Sequence, residues 1–588
     1  MKKIFSLIVS LLILSICFLG CESGHTNENA SFNSSENGDI IINTADVSYF
    51  DGVEAVYSIV RPAESKNNEA TVAGLLFKQF KAKLGISLKN ISDENDGTDK
   101  YEILIGATNR AESQQALDHL KSKTGGRYND YIICTIGKKI VINAYNAEVL
   151  SNAADYFLDN YVKSKGVDGG IEFCYAVQGD FEIITINGVN ISEYIFVKPQ
   201  YNTSYLTQLE MENLREHIYN KTGYMLNIAR ENDEQSEYEI IVGNPERDGV
   251  ELILDHDAYR IVVSGKRVYL NGGSPHATAM AVSEFAKSVA GDIKDFTVNG
   301  SYSTSIGQYD LETKLHYVWG DEFDNGELDT EKWLQRDENM QNQGLNGKIS
   351  VRSSDPNDVF IKDGKFYICA REDENYYYGG LINTQNRMCF RFGYAEVSAV
   401  VPHGGGFWVA FWATNAGLMS DRSDPGTPPY YTPEYDIMEM FGNSSYYAAN
   451  MHANPTDYGK SFGLEHYSLD VPQYVNAKKY FCPDGGLLSQ DFHTYGLLWS
   501  EDRVGFTCDG IEYFSYDTTE NEFDKDCFNR HVNLIFSLAT GFANCPEGKI
   551  TDNPNDWQNT NKLIADYINL YQCDDGKSNL ILGSTVEM

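Results

Sequence analysis

The stretch YTPEYDIMEMFG, at positions 431–442, holds three carboxylates, at Glu434, Asp436 and Glu439. Side chains alternate along a β-strand, so Glu434 and Asp436 share one face and Glu439 would point to the other. A one-residue bulge after Asp436 would shift the phase and turn Glu439 onto the face of the other two acids. The stretch therefore predicts a bulged strand with three acids in a row.

A row of three acids is costly through mutual repulsion, and no basic cross-strand partner is evident nearby in the sequence. The pattern therefore favours a function over a solvated structural strand. Retaining hydrolysis of a glycosidic bond needs two carboxyl groups about 5 to 5.5 Å apart, one ionised to attack and one protonated to release the leaving oxygen. Two of these acids would supply such a pair.

The segment PHGGGFWVAFW, which begins at Pro402, also reads as a strand. Alternation puts Trp408, Ala410 and Trp412 on one face, where the indole rings can stack on sugars. The apolar side chains between them would pack on the other face. The same chain region thus carries both acids and sugar-stacking aromatics.

Together these segments resemble glycoside hydrolase family 16, whose laminarinase-type members carry E-x-D-x-x-E with the bulge. Four further segments match in place and order, so the resemblance covers about residues 315–573: WGDEF at 319–323, NMHAN at 450–454, HTYGLLW at 493–499 and ADYINLY at 565–571. The resemblance implies that Glu434 is the nucleophile, that Glu439 is the acid/base and that Asp436 hydrogen-bonds the nucleophile. The expected substrate contacts are Trp408, Trp412 and His452.

The resemblance also implies a structural calcium, which many family members hold through two carboxylates and a backbone carbonyl. The corresponding groups here are Glu322, the carbonyl of Gly364 and Asp566, and oxygen ligands suit calcium. No cofactor is expected for catalysis. Val409 replaces the family's usual Pro, and FSLATGFAN at 536–544 lacks a Gly and a Trp of the family pattern, departures that bear on substrate rather than on class.

Beyond about residue 307, helical periodicity nearly vanishes and short alternating runs appear between Gly, Asn and Asp, as is typical of a β-sandwich. The expected fold class is multidomain. An all-β, concanavalin-like jelly-roll sandwich at 307–575 would follow two repeated α/β modules, at 46–177 and 178–306, and precede a tail at 576–588.

The two modules are predicted from an internal repeat. YSIVRP at 57–62 matches YIFVKP at 194–199, and YEILIGATNR at 101–110 matches YEIIVGNPER at 238–247. Apolar residues at every fourth position from Val72, with Gly85 after the last, predict a helix, and each module reads β-α-β-α-β-β-α. The modules loosely resemble the non-catalytic domains that precede catalytic domains in hexosaminidases and α-glucuronidases, so they would serve as spacers or bind glycan.

The N-terminus reads as an export signal. Two lysines precede an apolar run at 4–19, which is shorter than the roughly 20 residues that a spanning helix needs. The run leads into Cys21 in a pattern that resembles the bacterial lipobox, so 1–20 would be a lipoprotein signal and Cys21 the lipidated residue. A polar, flexible tether at 21–45 follows. The sequence predicts an exported protein that a lipid anchors in the membrane at the bacterial cell surface.

Composition excludes one class of partner. The chain has 588 residues and a net charge of −37, which would repel a polyphosphate, so nucleic acid is excluded. Nine of the eleven cysteines lie beyond Cys21, with neither a CxxC pair nor a Cys/His cluster at zinc spacing. Most of them are expected to be buried thiols, with one or two disulfides allowed by export. Disulfide pairing and oligomeric state stay open.

The expected function is retaining endo-hydrolysis of β-1,3- or mixed-linkage β-glucan. Galactans and other β-polysaccharides stay open as substrates, and so does transglycosylation, because the covalent intermediate can pass to a sugar hydroxyl. A carbohydrate-binding surface lipoprotein without catalysis is the alternative from another class. HGGG at 403–406 and GKSFG at 459–463 match esterase motifs, but the second lacks the strand-to-helix context that an esterase nucleophile requires.

Overall fold

The computed structural model describes residues 45–95, 100–243, 258–291, 314–335, 347–415, 431–442, 444–455, 478–482, 485–519, 527–541 and 561–583, with short stretches and isolated positions between them. The predicted signal, most of the predicted tether and Cys21 lie outside the described residues. Within those residues, no helix combines the length and the apolar character needed to cross a bilayer.

The α-helices of the described residues are α1 (Glu69–Leu84), α2 (Ala111–Thr124), α3 (Ala147–Asn160), α4 (Tyr205–Thr222) and α5 (Pro275–Ala290), with a 3-10 turn at Ile191–Glu193. The strands before position 304 are β1 (Val47–Ser48), β2 (Ser58–Arg61), β3 (Lys89–Ser92), β4 (Glu102–Ile105), β5 (Tyr131–Ile136), β6 (Lys139–Ala144), β7 (Gly166–Val167), β8 (Glu172–Tyr175), β9 (Thr185–Ile186), β10 (Val189–Asn190), β11 (Ile195–Lys198), β12 (Ile228–Arg230), β13 (Glu239–Val242), β14 (Ala258–Ser264), β15 (Arg267–Gly272), β16 (Asp295–Phe296) and β17 (Asn299–Ser303).

The remaining strands are β18 (His316–Asp321), β19 (Leu334–Gln335), β20 (Glu338–Asn339), β21 (Ile349–Arg352), β22 (Val359–Lys362), β23 (Lys365–Cys369), β24 (Arg371–Glu372), β25 (Tyr376–Asn383), β26 (Met388–Arg391), β27 (Gly393–Val400), β28 (Phe407–Asn415), β29 (Tyr431–Phe441), β30 (Tyr446–Pro455), β31 (Lys478–Phe481), β32 (His493–Trp499), β33 (Arg503–Cys508), β34 (Ile511–Asp517), β35 (Val532–Thr540), β36 (Lys562–Gln572) and β37 (Asn579–Leu582).

The chain divides into two compact units, and the first contains the chain up to His119 together with 132–143 and 150–173. Its main sheet has the strand order β3-β2-β4-β6-β5-β8, in which β2 runs parallel to β3 and β4, and β4 to β6. Helix α1 buries Val72, Leu76 and Phe80 against this sheet and ends at Gly85, whose φ of 71° is a conformation that glycine adopts without strain. The helix predicted at this position is therefore present.

The second unit contains a sheet of strand order β12-β11-β13-β15-β14-β17, and its hairpin β14–β15 pairs Tyr259 with Gly272. Element by element, this order repeats that of the first unit's sheet. The predicted element order lacked the strands at both edges of each sheet, which are β3 and β8 in the first sheet and β12 and β17 in the second. Strands β3 and β12 have four residues or fewer, all of them half-buried or exposed, so no apolar run marks them in the sequence. The module boundaries stay a prediction.

The rest of the second unit is a β-sandwich of two sheets. The outer sheet has the order β22-β23-β36-β27-β32-β33-β34, and the cleft sheet has the order β20-β21-β25-β35-β28-β29-β30-β31. One core cluster joins Phe366, Val397 and Leu497 of the outer sheet with Phe411 and Phe536 of the cleft sheet, all fully buried. Burial of each such side chain contributes about 1.5 to 3 kcal/mol. The predicted all-β sandwich is confirmed.

The outer sheet is covered on the side that faces away from this core. Tyr394 and Tyr571 of that side belong to an apolar cluster with Leu206 of α4 and Phe285 of α5. The ring centroids of Tyr205 and Tyr394 lie 5.0 Å apart. Helices α4 and α5 therefore cover the outer face of the outer sheet. The site described below lies on the face of the cleft sheet that points away from the core.

A buried carboxylate, Glu396 of β27, fastens α4 to the outer sheet. It accepts hydrogen bonds from the hydroxyls of Tyr394 and Tyr567, the latter at 2.9 Å, and from the backbone N–H of Tyr205 at 3.2 Å. Tyr205 is the first residue of α4, so Glu396 supplies the acceptor that a helix N-terminus needs. Burial raises the pKa of Glu396, and these hydrogen bonds oppose that shift.

We expect Glu396→Ala to destabilise the second unit, because the hydroxyl of Tyr567 and the backbone N–H of Tyr205 lose their acceptor, at about 1 to 3 kcal/mol each, whereas the hydroxyl of Tyr394 keeps its contact with Thr507. Thermal melting of the full chain by circular dichroism should show a clearly lower Tm for this variant. Glu374→Ala, at an exposed glutamate of the same sandwich, should melt as the parent does. Equal melting of the two variants would contradict the role of Glu396.

Candidate active site

The acid strand β29 carries the predicted bulge. Against β28, Asp436 pairs with Trp412 and Met438 pairs with the adjacent Phe411, so Ile437 has no counterpart on that strand. Against β30, the register also shifts between Asp436 and Glu439. One extra residue therefore lies between the second and third acids, as the sequence predicted.

The bulge leaves its two apolar residues on the core side. Ile437 and Met438 are both 0% exposed, and the flanking Tyr435 and Met440 lie in the same core. A regular strand would place one of these adjacent residues on the cleft side; the bulge buries both. The acids then fall on the other side of the sheet.

All three acids face a pocket on the cleft sheet. They are paired in register with alternate residues of β28: Glu434 with Thr414, Asp436 with Trp412 and Glu439 with Ala410. The pocket lining consists of Arg352, Trp408, Ala410, Trp412, Glu434, Asp436, Glu439, Ser537 and Ala539. The structure therefore brings together the three predicted acids and the two predicted tryptophans.

His452 lies beside the acids, on strand β30. Its Nε2 is 3.2 Å from Oδ2 of Asp436 and 3.0 Å from Nδ2 of Asn450. Three side-chain atoms, one from each of Glu434, Asp436 and His452, lie within 4.8 Å of one another. The hydrogen bond to Asp436 and the negative charges of the acids raise the pKa of His452 against the opposing effect of burial. A proton on this ring would partly neutralise the acid row.

Glu439 holds a proton more tightly than an ordinary glutamate. Burial raises its pKa to about 8, helped by the negative charges of Asp436 and Glu434. The indole Nε1 of Trp408 donates a hydrogen bond to Oε1 at 3.0 Å, and this bond and the charge of His452 act in the opposite direction. Glu439 is therefore mainly protonated at neutral pH and can act as a general acid.

Comparison with known proteins finds a family that is similar to the segment containing this site. Residues 332–562 match the family model described as "Glycosyl hydrolases family 16", and this segment contains the acid strand and its neighbours in the cleft sheet. This segment of the chain is therefore similar to glycosyl hydrolases family 16. The family resemblance drawn from the sequence is confirmed for this segment.

Relatives of the family 16 domain are distant in sequence. Glucan endo-1,3-beta-glucosidase A1 of Niallia circulans is 26% identical over 282 residues, which are 44% of this chain and 38% of the relative. Endo-1,3-1,4-beta-glycanase ExsH of Rhizobium meliloti is 28% identical over 200 residues, 34% of each chain. This chain thus spans little more than a third of either relative. The laminarinase structure from Flavobacterium sp. UMI-01 is 23% identical, with a TM-score of 0.34, and the match covers 44% of this chain and all of that one.

Sequence reasoning missed several residues of this site. Arg352 reaches the pocket from β21, which joins the cleft sheet through β25, and Ser537 and Ala539 come from β35. No motif marks them, because their position depends on sheet order. Asn450 was also missed, although it lies two residues before His452 on one strand, where alternation puts both on one face.

The predicted calcium ligands lie in another part of the sandwich, and Glu322 and Asp566 fall outside the segment that matches the family model. The carboxylate of Glu322 accepts a hydrogen bond from Nδ2 of Asn569 at 2.8 Å, and its pKa is raised to about 7 by burial and by charges that include Asp566. Oδ1 of Asp566 is 2.5 Å from Nζ of Lys365, the residue after Gly364. The charge of Asp566 thus acts on Glu322. Lys365, which sequence reasoning missed, forms an ion pair with Asp566.

We expect the pKa of Glu439 to respond in opposite directions to two substitutions. Asp436→Asn removes a negative charge that raises this pKa, so it should lower the value from about 8 by about 1 to 3 pH units. Trp408→Phe removes the hydrogen bond that lowers it, so it should raise the value. A ¹³C NMR titration of chain labelled at the glutamate carboxyl carbons measures both, with Glu439→Gln to assign the resonance. An unchanged pKa in Asp436→Asn would contradict the charge coupling.

Proposed function

We propose that this protein is a retaining, endo-acting glycoside hydrolase that cleaves β-1,3- or mixed-linkage β-glucan. The observation that carries the proposal is the bulged strand, which lines up Glu434, Asp436 and Glu439 on one face with a protonated Glu439. A binding site has no need for a carboxyl group that keeps its proton at neutral pH, whereas a general acid does.

The proposed mechanism uses the two glutamates in turn. The carboxylate of Glu434 attacks the anomeric carbon while Glu439 donates its proton to the glycosidic oxygen, which leaves as a sugar hydroxyl. A water molecule then gives a proton to Glu439 and its oxygen to the anomeric carbon, and this releases Glu434. Glu439 must be protonated for the first step, and this is its main form below about pH 8.

Asp436 and His452 would hold the two glutamates in different protonation states. The negative charge of Asp436 raises the pKa of Glu439, and the Nε2 of His452 is 3.2 Å from the Asp436 carboxylate. The pair therefore favours one proton on Glu439. Asp436 would also hydrogen-bond the nucleophile, as the family resemblance implies.

The indoles of Trp408 and Trp412 support a polysaccharide as the substrate. Both line the pocket from strand β28, and flat aromatic faces stack on sugar rings. The names of the relatives, a glucan endo-1,3-beta-glucosidase and an endo-1,3-1,4-beta-glycanase, favour glucan over galactan. Transglycosylation uses the same covalent intermediate and differs only in the acceptor.

The proposed location is the bacterial cell surface, with the chain held by a lipid on Cys21. The support is the lysine pair, the apolar run and the lipobox-like ending at the N-terminus. An extracellular polysaccharide is the substrate that such a position gives access to.

A structural calcium is also proposed, at Glu322, Asp566 and the carbonyl of Gly364. The donor set fits, because the buried Glu322 carboxyl lies among other carboxylates that raise its pKa, and a cation would relieve this repulsion. The ammonium of Lys365 already neutralises part of the negative charge of Asp566. Calcium would contribute charge neutralisation and rigidity at this side of the domain and take no part in the reaction.

The test of the proposed reaction is reducing-sugar release by the full chain from laminarin, lichenan, agarose, carrageenan and xyloglucan. We expect release from laminarin or lichenan, and loss of that activity in Glu434→Gln, because the amide cannot act as the nucleophile. Glu374→Gln, at an exposed glutamate, is the control and should retain full activity.

Product configuration identifies the nucleophile independently. With an activated aryl β-glycoside and azide, Glu434→Gly should yield the α-glycosyl azide, because azide replaces the missing nucleophile. Glu439→Gly should yield the β-glycosyl azide, formed from the intermediate on Glu434. Binding of a glucan without release of sugar from any polymer would instead favour the non-catalytic alternative.

We expect calcium to raise the Tm of the full chain. At a calcium concentration of one hundred times the Kd, the free energy of unfolding should rise by about 2.7 kcal/mol. Asp566→Asn should abolish the increase, since it removes a ligand. Asp363→Asn is the control, at an exposed aspartate in the turn that contains Gly364. Melting that is the same with calcium and with a chelator would remove the calcium site.

A further inference from the structure

An aromatic pair lies on the cleft sheet outside the acid pocket. It consists of Tyr446, the first residue of β30, and Phe481, the last residue of β31, which are paired in register. Their ring centroids lie 5.4 Å apart, with an angle of 43° between the ring planes. Phe481 is 57% exposed and Tyr446 is half-buried, so much of the surface of this pair faces solvent.

The pair lies on the same face of the cleft sheet as the acids. On β30, Tyr447 is fully buried in the sandwich core, so alternation puts Tyr446 on the opposite face, which is also the face of His452. On β31, Tyr480 packs against the core, so its neighbour Phe481 points away from the core. Both rings therefore lie on the face that carries the pocket.

A second aromatic pair connects the pocket with this face of β29. Trp408 of β28 and Phe441 of β29 are paired in register, and their ring centroids lie 5.4 Å apart at 33°. Both rings pack on Ala539 of β35 in a small apolar cluster that is separate from the main core. Trp408 and Ala539 also line the pocket. This second pair therefore begins at the pocket.

The register between β29 and β30 brings the two pairs together. Glu439 pairs with Ala448, and Phe441 and Tyr446 stand two residues further along these antiparallel strands. Four aromatic residues on neighbouring strands thus form what we call the aromatic row: Trp408, Phe441, Tyr446 and Phe481. Neighbouring strands lie about 4.8 Å apart, so the row is about 14 Å long.

We propose that the aromatic row binds consecutive sugar rings of the polysaccharide, with Tyr446 and Phe481 as a subsite beyond the pocket. This proposal rests on the proposed hydrolase function and extends its substrate site. At one end of the row, the indole of Trp408 donates a hydrogen bond to Glu439. At the other end, Phe481 lies on β31, the last strand in the order of the cleft sheet. A bound chain would run across the strands from the general acid to this end of the sheet.

Continuity with the pocket favours the polysaccharide as the occupant of the row over a second copy of this chain. The polysaccharide must enter the pocket to be cleaved, and its next sugar rings then lie against the neighbouring strands. Flat aromatic faces stack on sugar rings, and four of them in succession contact more than one ring. Contacts with several rings of one chain suit cleavage inside a polymer.

The test is the binding of laminarin and of lichenan to the full chain carrying Glu434→Gln, measured by isothermal titration calorimetry. Adding Phe481→Ala should raise the Kd for the preferred glucan about tenfold, because the stacked apolar surface is lost. The control is Phe360→Ala, which breaks an aromatic pair with Tyr367 on the outer sheet, where the ring centroids lie 5.1 Å apart. It should leave the Kd unchanged.

Two further substitutions separate stacking from apolar contact in general. Phe481→Tyr keeps a flat ring and should bind as tightly as the chain with Phe481. Phe481→Leu keeps an apolar side chain without a flat face and should raise the Kd as the alanine variant does. Phe481 is exposed, so all three variants should keep the Tm of the parent chain.

The length of the ligand identifies the position of the subsite. With oligosaccharides of the preferred glucan, each added sugar should increase the affinity until the row is filled. In Phe481→Ala this increase should end at a shorter oligosaccharide than in Phe481→Tyr. An equal dependence on length in the two variants would contradict the position of the subsite at the end of the sheet.

Binding is measured on a variant that cannot turn over, so it tests the aromatic row whether or not the chain hydrolyses a polymer. Glucan binding that is unchanged by Phe481→Ala would overturn the row and leave the proposed hydrolysis standing. Loss of affinity in Phe481→Ala, with no hydrolysis by the parent chain, would support the row and overturn the hydrolase. Absence of binding of both glucans, or an effect of Phe481→Ala on oligomeric state alone, would also overturn the row.

Discussion

The site depends on a conflict of periodicity within one strand. Strand β29 must bury aromatic and aliphatic side chains in the sandwich core and also present three acids to the cleft. A regular alternation cannot do both with this sequence, because two apolar residues stand next to each other between the second and third acids. The extra residue at Ile437 resolves the conflict, since both apolar side chains go to the core and Glu439 returns to the acid face. Core packing therefore sets the spacing of the reactive groups.

Packing also determines the charge state of the acids. Glu439 lies in a largely desolvated position beside Asp436, so its proton is retained at a pH at which an exposed glutamate is ionised. Two groups offset the repulsion among the acids. The imidazole of His452, on the neighbouring strand, contacts Asp436, and the indole N–H of Trp408 donates a hydrogen bond to Glu439. Each of these side chains comes from a strand that the sheet order places next to β29. The electrostatics of the pocket thus follow from strand pairing.

Local pattern predicted the bulge, the acid face and the tryptophan face, because each depends on a strand's own alternation and on the burial of its apolar residues. It did not predict Arg352, which reaches the pocket from a strand distant in sequence. The same limit applies to His493, Cys508 and Asp509, which match no short motif, although strand pairing brings one side-chain ligand atom of each within 4.8 Å of the others. The edge strands β3 and β12 were missed because their few residues are only partly buried.

The packing of α4 and α5 on the outer sheet makes the sandwich depend on the α/β part of the chain. In a protein whose domains are joined only by a linker, either part can be lost or exchanged without harm to the other. Here, removal of the α/β part would bare Tyr394 and Tyr571 and leave Glu396 without one of its donors. A chain reduced to the sandwich alone would expose this apolar surface to water and would be prone to aggregate. The apolar contact therefore makes the sandwich dependent on the helices that cover its outer sheet.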